Sequence, residues 1–458
     1  MKVIKRDGRT IDFDRAKIQT AIEKANKEVT EEKRATSDEI DKIVKYIEAL
    51  GKKRILVEDI QDIIEEKLME LGKYELAKNY VVYRYTRALV RKQNTTDESI
   101  LGLIKNAGRV NGNDDENRGL VCVQRNLIAG EVSKDLTKRI LLPEKITKAH
   151  EKGILFFHDM EYFMQPMINS CVVNIGDMLD NGTEINHHKI HIPQGFEEAC
   201  IIVANIINAI SNSQFGMQII NIKHLGKYLR KSENRKQEEL VNGVKILKYQ
   251  IEGMVNTYQK SSSVILVLDS DTSGDYEKEN SMIIDEILKQ NIDNCKLISN
   301  ENIETELKYQ AEGHFNYGMV SIDLFNLLRS AGNIETDFWR ELETRLELCY
   351  EALMCRHYAL LGTPSNVSPI HWQNGAISRL QPGERIDKLL KDGYSDIYLG
   401  YYGLDMTING AKDKFGLDDA AKEKLKNKLL GFLENKVLDW KKMTGIDFVL
   451  KEVEDKFK

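Results

Sequence analysis

Paired cysteines are what this sequence most plainly lacks. Its six cysteines, Cys122, Cys171, Cys200, Cys295, Cys349 and Cys355, are scattered over 458 residues without a C-x-x-C pair. That excludes a zinc site built on paired cysteines and suits reduced thiols better than a disulfide framework. A basic surplus is missing too: Lys+Arg of 66 against Asp+Glu of 72 gives a net charge of -6. Binding to a nucleic-acid polymer is therefore not expected. No apolar run is long enough to cross a bilayer, and MKVIKRDGRT has no apolar stretch behind its basic residues. Neither a membrane nor a leader is expected, and the expected location is the cytoplasm. At 41% hydrophobic and 30% charged, the chain has an ordinary globular composition and room for two or three domains.

What is present falls into two patterns. Residues 1–92 read as a small unit, with a hairpin at Val3–Phe13, a helix from about Arg15, and amphipathic helices around Ser37–Leu50 and Val57–Gly72. "ELAKNYVVYRYTRALVRKQNTTDES" continues as a helix and then turns polar, which places a linker at 93–99. From 100 to 458, helices alternate with β-like runs: "PMINSCVVNI", "SVILVLD", "NYGMVSIDLF" and "SDIYLGYYGL". That alternation predicts an α/β unit with a partly parallel sheet, open or closed into a barrel. The charged stretch Gly226–Gln259 reads as an outer helix with one core face, and the Lys-rich tail from Leu417 to Lys458 as helical again.

In "VIKRDGRTIDFDRAKI" the Asp7-Gly8 pair is a two-residue hairpin signal, holding Lys5 and Arg6 at the turn. Asp14 is a good N-cap for the next helix. Lys17 stands in its first turn, where a cation opposes the helix dipole unless an anion is near. Lys5, Arg6, Lys17 and the free N–H groups of that helix end make a candidate triphosphate cradle.

The same stretch, followed by "VEDIQDIIEEKLMELGKYELAKNYVVYRYTR", resembles the ATP-cone, the regulatory nucleotide-binding domain of ribonucleotide reductases, over Lys2 to Arg91. The resemblance implies contacts to ATP or dATP, as an allosteric ligand, from Lys5, Arg6, Asp7, Gly8, Asp14 and Lys17, and near Val57. Some members use a hydroxyl residue at the position of Val57.

"FFHDMEYFMQPMINSCVVNIGDMLDNGT" and "LELCYEALMCRHYALLGTPSNVSPIHWQNGAISRLQPGERIDKLLKDGYSDIYLGYYGL" resemble the anaerobic, class III ribonucleoside-triphosphate reductases. These are glycyl-radical enzymes on a ten-stranded α/β barrel. The implied architecture is a small helical ATP-cone with a β-hairpin, followed by a truncated barrel of this type. In the family a glycyl radical oxidises a finger-loop cysteine, whose thiyl radical then attacks the ribose. Cys171 falls on the family's strand cysteine; it is either the catalytic thiol or an inert core residue. One position earlier Ser170 replaces a common cysteine.

The finger-loop insertion of typical members is reduced here to "NIDNCKLISNENIETELKYQAE", where Cys295 reads as part of a shortened surface loop. The family's four-cysteine zinc module and glycyl-radical loop have no counterpart after "WKKMTGIDFVLKEVEDKFK", so no metal is expected. Asp323 and Met217 stand where the family has Asn and Gly. The expectation is a nucleotide-binding, catalytically incomplete relative. The alternative is the catalytic subunit of a split reductase, completed by a partner that supplies the glycyl radical. Expected partners are nucleotides, a second copy of the chain, or a reductase or radical-domain protein. "IIVANIINAISNSQ" offers a candidate dimer surface whose apolar face could equally be core.

Other features read as structural. His187, His188 and His191 lie in turn and extended sequence rather than on a helix face, His158-Asp159 receives no catalytic role, and "DSDTSGD" reads as a surface turn. Gly375, Gly383, Gly400 and Gly403 read as turn and strand-packing residues.

Overall fold

Short apolar runs bounded by turn residues become strands, and the long amphipathic stretches between them become helices. The computed structural model describes residues 2–4, 10–27, 29–82, 84, 100–101, 120–232, 235–254, 264–268, 274–293, 295–299, 311–334 and 336–453. The chain forms two units, Met1–Leu101 and Gly102–Lys458.

In the first unit, β1 (Lys2–Ile4) pairs antiparallel with β2 (Thr10–Asp12) and parallel with β3 (Arg54–Leu56). Three helices, Arg15–Asn26, Ser37–Ala49 and Val57–Glu70, pack Ile22, Val44, Ile47, Ile64 and Leu68 into one core. Thr36 and Glu39 form a capping box that opens the second helix. Residues 74–82 are helical again, and Arg84 reaches Glu58, Asp62 and Glu65, tying that segment to the third helix.

The hairpin register corrects the sequence expectation. A two-residue turn at Asp7-Gly8 would set Ile4 opposite Ile11, yet Ile4 faces Thr10 and Val3 faces Ile11. The pairing is one residue out of the two-residue register. Lys5, Arg6, Asp7 and Gly8 themselves lie outside the described residues.

The second unit is built on an eight-stranded mixed sheet. One half runs β10 (Cys295–Ser299), β9 (Val264–Leu268), β8 (Gln218–Asn221) and β5 (Ser170–Val172), all parallel. The other half, β11 (Phe315–Asp323), β12 (Ser395–Tyr402) and β13 (Asp447–Glu452), is also parallel. The halves meet antiparallel at β5 and β11, and β4 (Leu155–Phe157) pairs with β11 further along. Among the described residues eight strands are paired and no pair joins β10 to β13.

Alternation along the strands separates two faces. Cys171, Ile220, Leu266, Phe315 and Ile397 belong to the large core beneath the helices. Val172, Ile219, Ile265, Val267 and Ile298 form a second apolar cluster on the opposite face. Burial on both faces explains why β9 reads as an uninterrupted apolar run.

Two further expectations change. The tail is not wholly helical, because the helix Asp419–Thr444 stops at Gly445 in the left-handed region (φ 74°) and β13 follows. The helix Phe196–Ser211 puts Cys200, Val203, Ile206, Ile207 and Ile210 into the core, so its apolar face is spent inside the unit. It lies against helix Lys236–Glu252, where a Cβ at Gly243 would sit 2.6 Å from the Phe196 ring. No described helix is long and apolar enough to cross a membrane.

Candidate functional site

The first unit holds a cavity of about 310 Å³ between β1, β2 and the helices, within the range of small-molecule sites. Its walls include Ile11, Phe13, Ile18, Val57, Ile60 and Tyr80, with Asp14 and Lys17 also in its lining. The sequence thus brings Asp14, Lys17 and Val57 together. Asp14 caps helix Arg15–Asn26 by accepting the Ala16 N–H at 3.0 Å. Its other carboxylate oxygen lies 3.6 Å from Lys17 Nζ. Asp14 therefore offsets the conflict between Lys17 and the helix dipole without a phosphate, while Lys17 itself stays exposed at the cavity. What the cavity does offer is a mostly apolar lining beside an exposed cation.

In the second unit, Cys171 lies in the middle of β5, at the seam between the two halves of the sheet. Its register partner Gln218 donates to the Ile207 carbonyl of helix Phe196–Ser211 at 3.0 Å. Residues in register share a face, so the Cys171 side chain also lies on the helix-covered face. Ser170 and Val172 take the opposite one.

The thiol lies in a buried polar network. Cys171 Sγ donates to Gln214 Oε1 at 3.2 Å, and His371 Nε2 reaches the same oxygen at 3.2 Å. Ser368 Oγ is 2.8 Å from His371 Nδ1. Gln214 Nε2 is already committed to the Met217 carbonyl at 2.9 Å. Oε1 can only accept, so His371 carries its proton on Nε2 and accepts from Ser368. Burial pushes His371 down to about 3 and the Cys171 thiol well above the ordinary thiol range. Both groups are neutral at any ordinary pH. Neither Gln214 nor His371 is legible as a partner of Cys171 in the sequence, since 157 residues separate them from each other.

Cys295 is not in a surface loop. It opens β10, paired in register with Val264, and burial raises its thiol to about 11. Asp323 caps helix Leu324–Ser330 by accepting the Asn326 N–H at 2.8 Å. His158 Nε2 meets Ser321 Oγ at 2.7 Å, and burial lowers its imidazole to about 4. His187 and Asn186 form the turn of a small hairpin, β6 (Thr183–Ile185) with β7 (His188–Ile190), both at positive φ. Gly375, Gly383 and Gly403 occupy positive φ, and Gly400 packs against Ser321 and Val453. "DSDTSGD" lies mostly outside the described residues.

Residues 1–89 match the ATP cone domain family, and residues 114–309 and 290–453 match the anaerobic ribonucleoside-triphosphate reductase family. The chain belongs to the anaerobic ribonucleoside-triphosphate reductase family. An anaerobic ribonucleoside-triphosphate reductase of Haemophilus influenzae is 26% identical over 550 aligned positions, covering 98% of this chain and 76% of that protein. The anaerobic ribonucleotide reductase of Thermotoga maritima, in a crystal structure with citrate in the active site, superposes with a TM-score of 0.55 at 10% identity, over 78% of each chain. Its form with dATP in the specificity site gives 0.54 at 10% identity, over 79% of this chain and 76% of that one. These likenesses carry the fold: an α/β sheet unit of the reductase type.

Proposed function

We propose that this reductase-family chain is a nucleotide sensor: its ATP-cone binds ATP or dATP, and its α/β unit does not reduce nucleotides by itself. The cavity bearing Asp14, Lys17 and Val57 carries the first half of this reading. Its apolar walls suit an adenine base. Lys17, with Lys5 and Arg6 of the hairpin, would meet the phosphates, and Asp7 and Gly8 would let the turn approach them.

Three observations support the second half. The reductase family matches in two stretches that overlap at 290–309, and the Haemophilus alignment spans 550 positions against 458 residues here. An internal segment of the relatives is therefore short in this chain, where a finger loop would be. The cysteine nearest that point, Cys295, is fixed in a strand. Cys171 points into the helix-covered core, while Ser170, with no thiol, holds the opposite face. In this reading Cys171 is a core thiol rather than a catalytic one.

The retained seam position of Cys171 favours a second reading, in which a partner supplying a glycyl radical completes a split reductase. Anaerobic incubation of the chain with each ribonucleoside triphosphate, reductant and ATP separates the two. No deoxynucleotide is expected from the chain alone. Deoxynucleotide formed on adding a radical-bearing partner, and abolished by Cys171→Ser, would overturn the sensor reading.

A further inference from the structure

The chain enters β11 through Ala311–His314, and that entry is tied down on every side. Gly313 N–H donates to the Val172 carbonyl at 2.7 Å, and Val172 N–H donates back to the His314 carbonyl at 2.8 Å. Glu312 Oε1 is 2.5 Å from His224 Nε2. The His314 ring then reaches across to the head of β12. Its Nε2 is 3.0 Å from Asp396 Oδ2 and its Nδ1 is 3.3 Å from the Gly393 carbonyl. Gly393 N–H in turn donates to Asp447 Oδ2 of β13 at 2.9 Å.

Both partners of the His314 ring are acceptors: a carboxylate and a carbonyl oxygen. A neutral imidazole has a single N–H and would leave its bare nitrogen facing a lone pair. Only the imidazolium donates to both. The second carboxylate oxygen, Asp396 Oδ1, accepts from Asn316 Nδ2 at 2.7 Å, so the anion cannot turn away to relieve the conflict. The charged and titratable groups around the ring come from several elements, and beside the Glu312–His224 pair they are these. Asp396 from β12 and Asp447 from β13 are anionic. Lys441, on helix Asp419–Thr444, pairs with the other oxygen of Asp447. Tyr317 of β11 is held neutral by burial.

We propose that His314 is a proton-operated latch: protonated, it clasps the entry of β11 to the head of β12 and to the Gly393 turn before it, and its deprotonation loosens the 391–396 segment. This goes beyond nucleotide sensing and does not depend on it. Burial works against the charge, but the bond to Asp396, with Gly393 and the more distant Asp447 charge, outweighs it and raises the imidazole above its ordinary 6.5. The unfolded chain loses the proton first as pH rises. The latch is thus fully closed below about pH 6.5 and opens as pH passes through the raised folded value.

The released strand heads carry Asn316 and Asp396 on the face opposite the helices, beside Ser170 through the pairing of Ser170 with Asn316. Among the described residues the ring's hydrogen bonds all go to residues 393 and 396, so opening would act first on that face.

Hydrogen exchange of the full chain, read as protection factors for the segments holding Gly393, Val172 and Gly313 from pH 6 to pH 9, tests the latch. Protection in these segments should fall as pH rises, tenfold for each unit by which folding raises the imidazole, while protection in the helix Phe196–Ser211 stays level. In His314→Gln, which keeps donors on a single nitrogen and has no charge, protection should start low and lose its pH dependence. Asp396→Asn should move the transition to lower pH. Two results would overturn the proposal: the same pH dependence in His314→Gln, or ring nitrogen shifts of wild-type His314 showing one proton at pH 6. The second reading needs no variant to fold.

Discussion

Asp159 carries a measurable penalty at neutral pH. It follows β4 at φ 54°, in the left-handed region, and sits half-buried with Asn169 Nδ2 at 3.4 Å as a weak donor. Burial, and to a lesser degree Glu161, raise its carboxyl from 3.8 to about 6; Arg356 and Asn169 oppose the shift only partly. The unfolded chain ionises above about pH 4 while the folded chain resists until about pH 6. Stability is therefore lost as pH rises across that window. About two pKa units correspond to about 3 kcal/mol, and residual solvent contact reduces this to roughly 1–2 kcal/mol. Asp159→Asn removes the titration and keeps the shape, and Asn tolerates positive φ well. Urea unfolding of wild type and variant at pH 4 and pH 8 is the assay. Equal stability at pH 4 and a gain of about 1–2 kcal/mol in the variant at pH 8 are expected. A variant less stable at pH 8, or a difference independent of pH, would refute the reasoning.

Gly243→Ala should cost about 1–3 kcal/mol in the same assay, despite the better helix propensity of Ala, because the new Cβ meets the Phe196 ring at 2.6 Å and Cys200 Sγ at 3.0 Å. Glu279, buried beneath Arg230 and Lys236, has its carboxyl held at about 2 by those cations, chiefly Arg230. Its contribution is complete above about pH 4.5 and fades as pH falls toward 2. Glu279→Gln should lose about 2 kcal/mol at neutral pH and little at pH 2. Iodoacetamide under native conditions should modify Cys295 and Cys355 before Cys171, Cys200 and Cys349, which are buried; early labelling of Cys171 would contradict its place in the core.

The sequence made the helices of the first unit legible because each is long and amphipathic, and two of them are capped, at Asp14 and Thr36. Strands β9, β11 and β12 were legible as apolar runs. β4, β8, β10 and β13 were not, being three to six residues long and, in β10 and β13, diluted by Lys and Glu. Their pairing partners are far away in sequence, and no local pattern announces them. The hairpin register escaped because Asp7-Gly8 signals a turn without fixing the pairing beyond it. Position along β5 located Cys171, but only the register with Gln218 reveals which face its sulfur takes. Likewise, Lys17 reads as an unsatisfied cation until Asp14 is found 3.6 Å away.

Calorimetric titration of the full chain with ATP and with dATP, beside CTP as control, tests the central claim most directly. Saturable binding of ATP or dATP, weakened at least tenfold in Lys5→Ala/Lys17→Ala, is the predicted result, and it should raise the unfolding temperature of the wild type with nucleotide concentration. Undiminished binding in the double variant, or no heat from either adenine nucleotide, would contradict it.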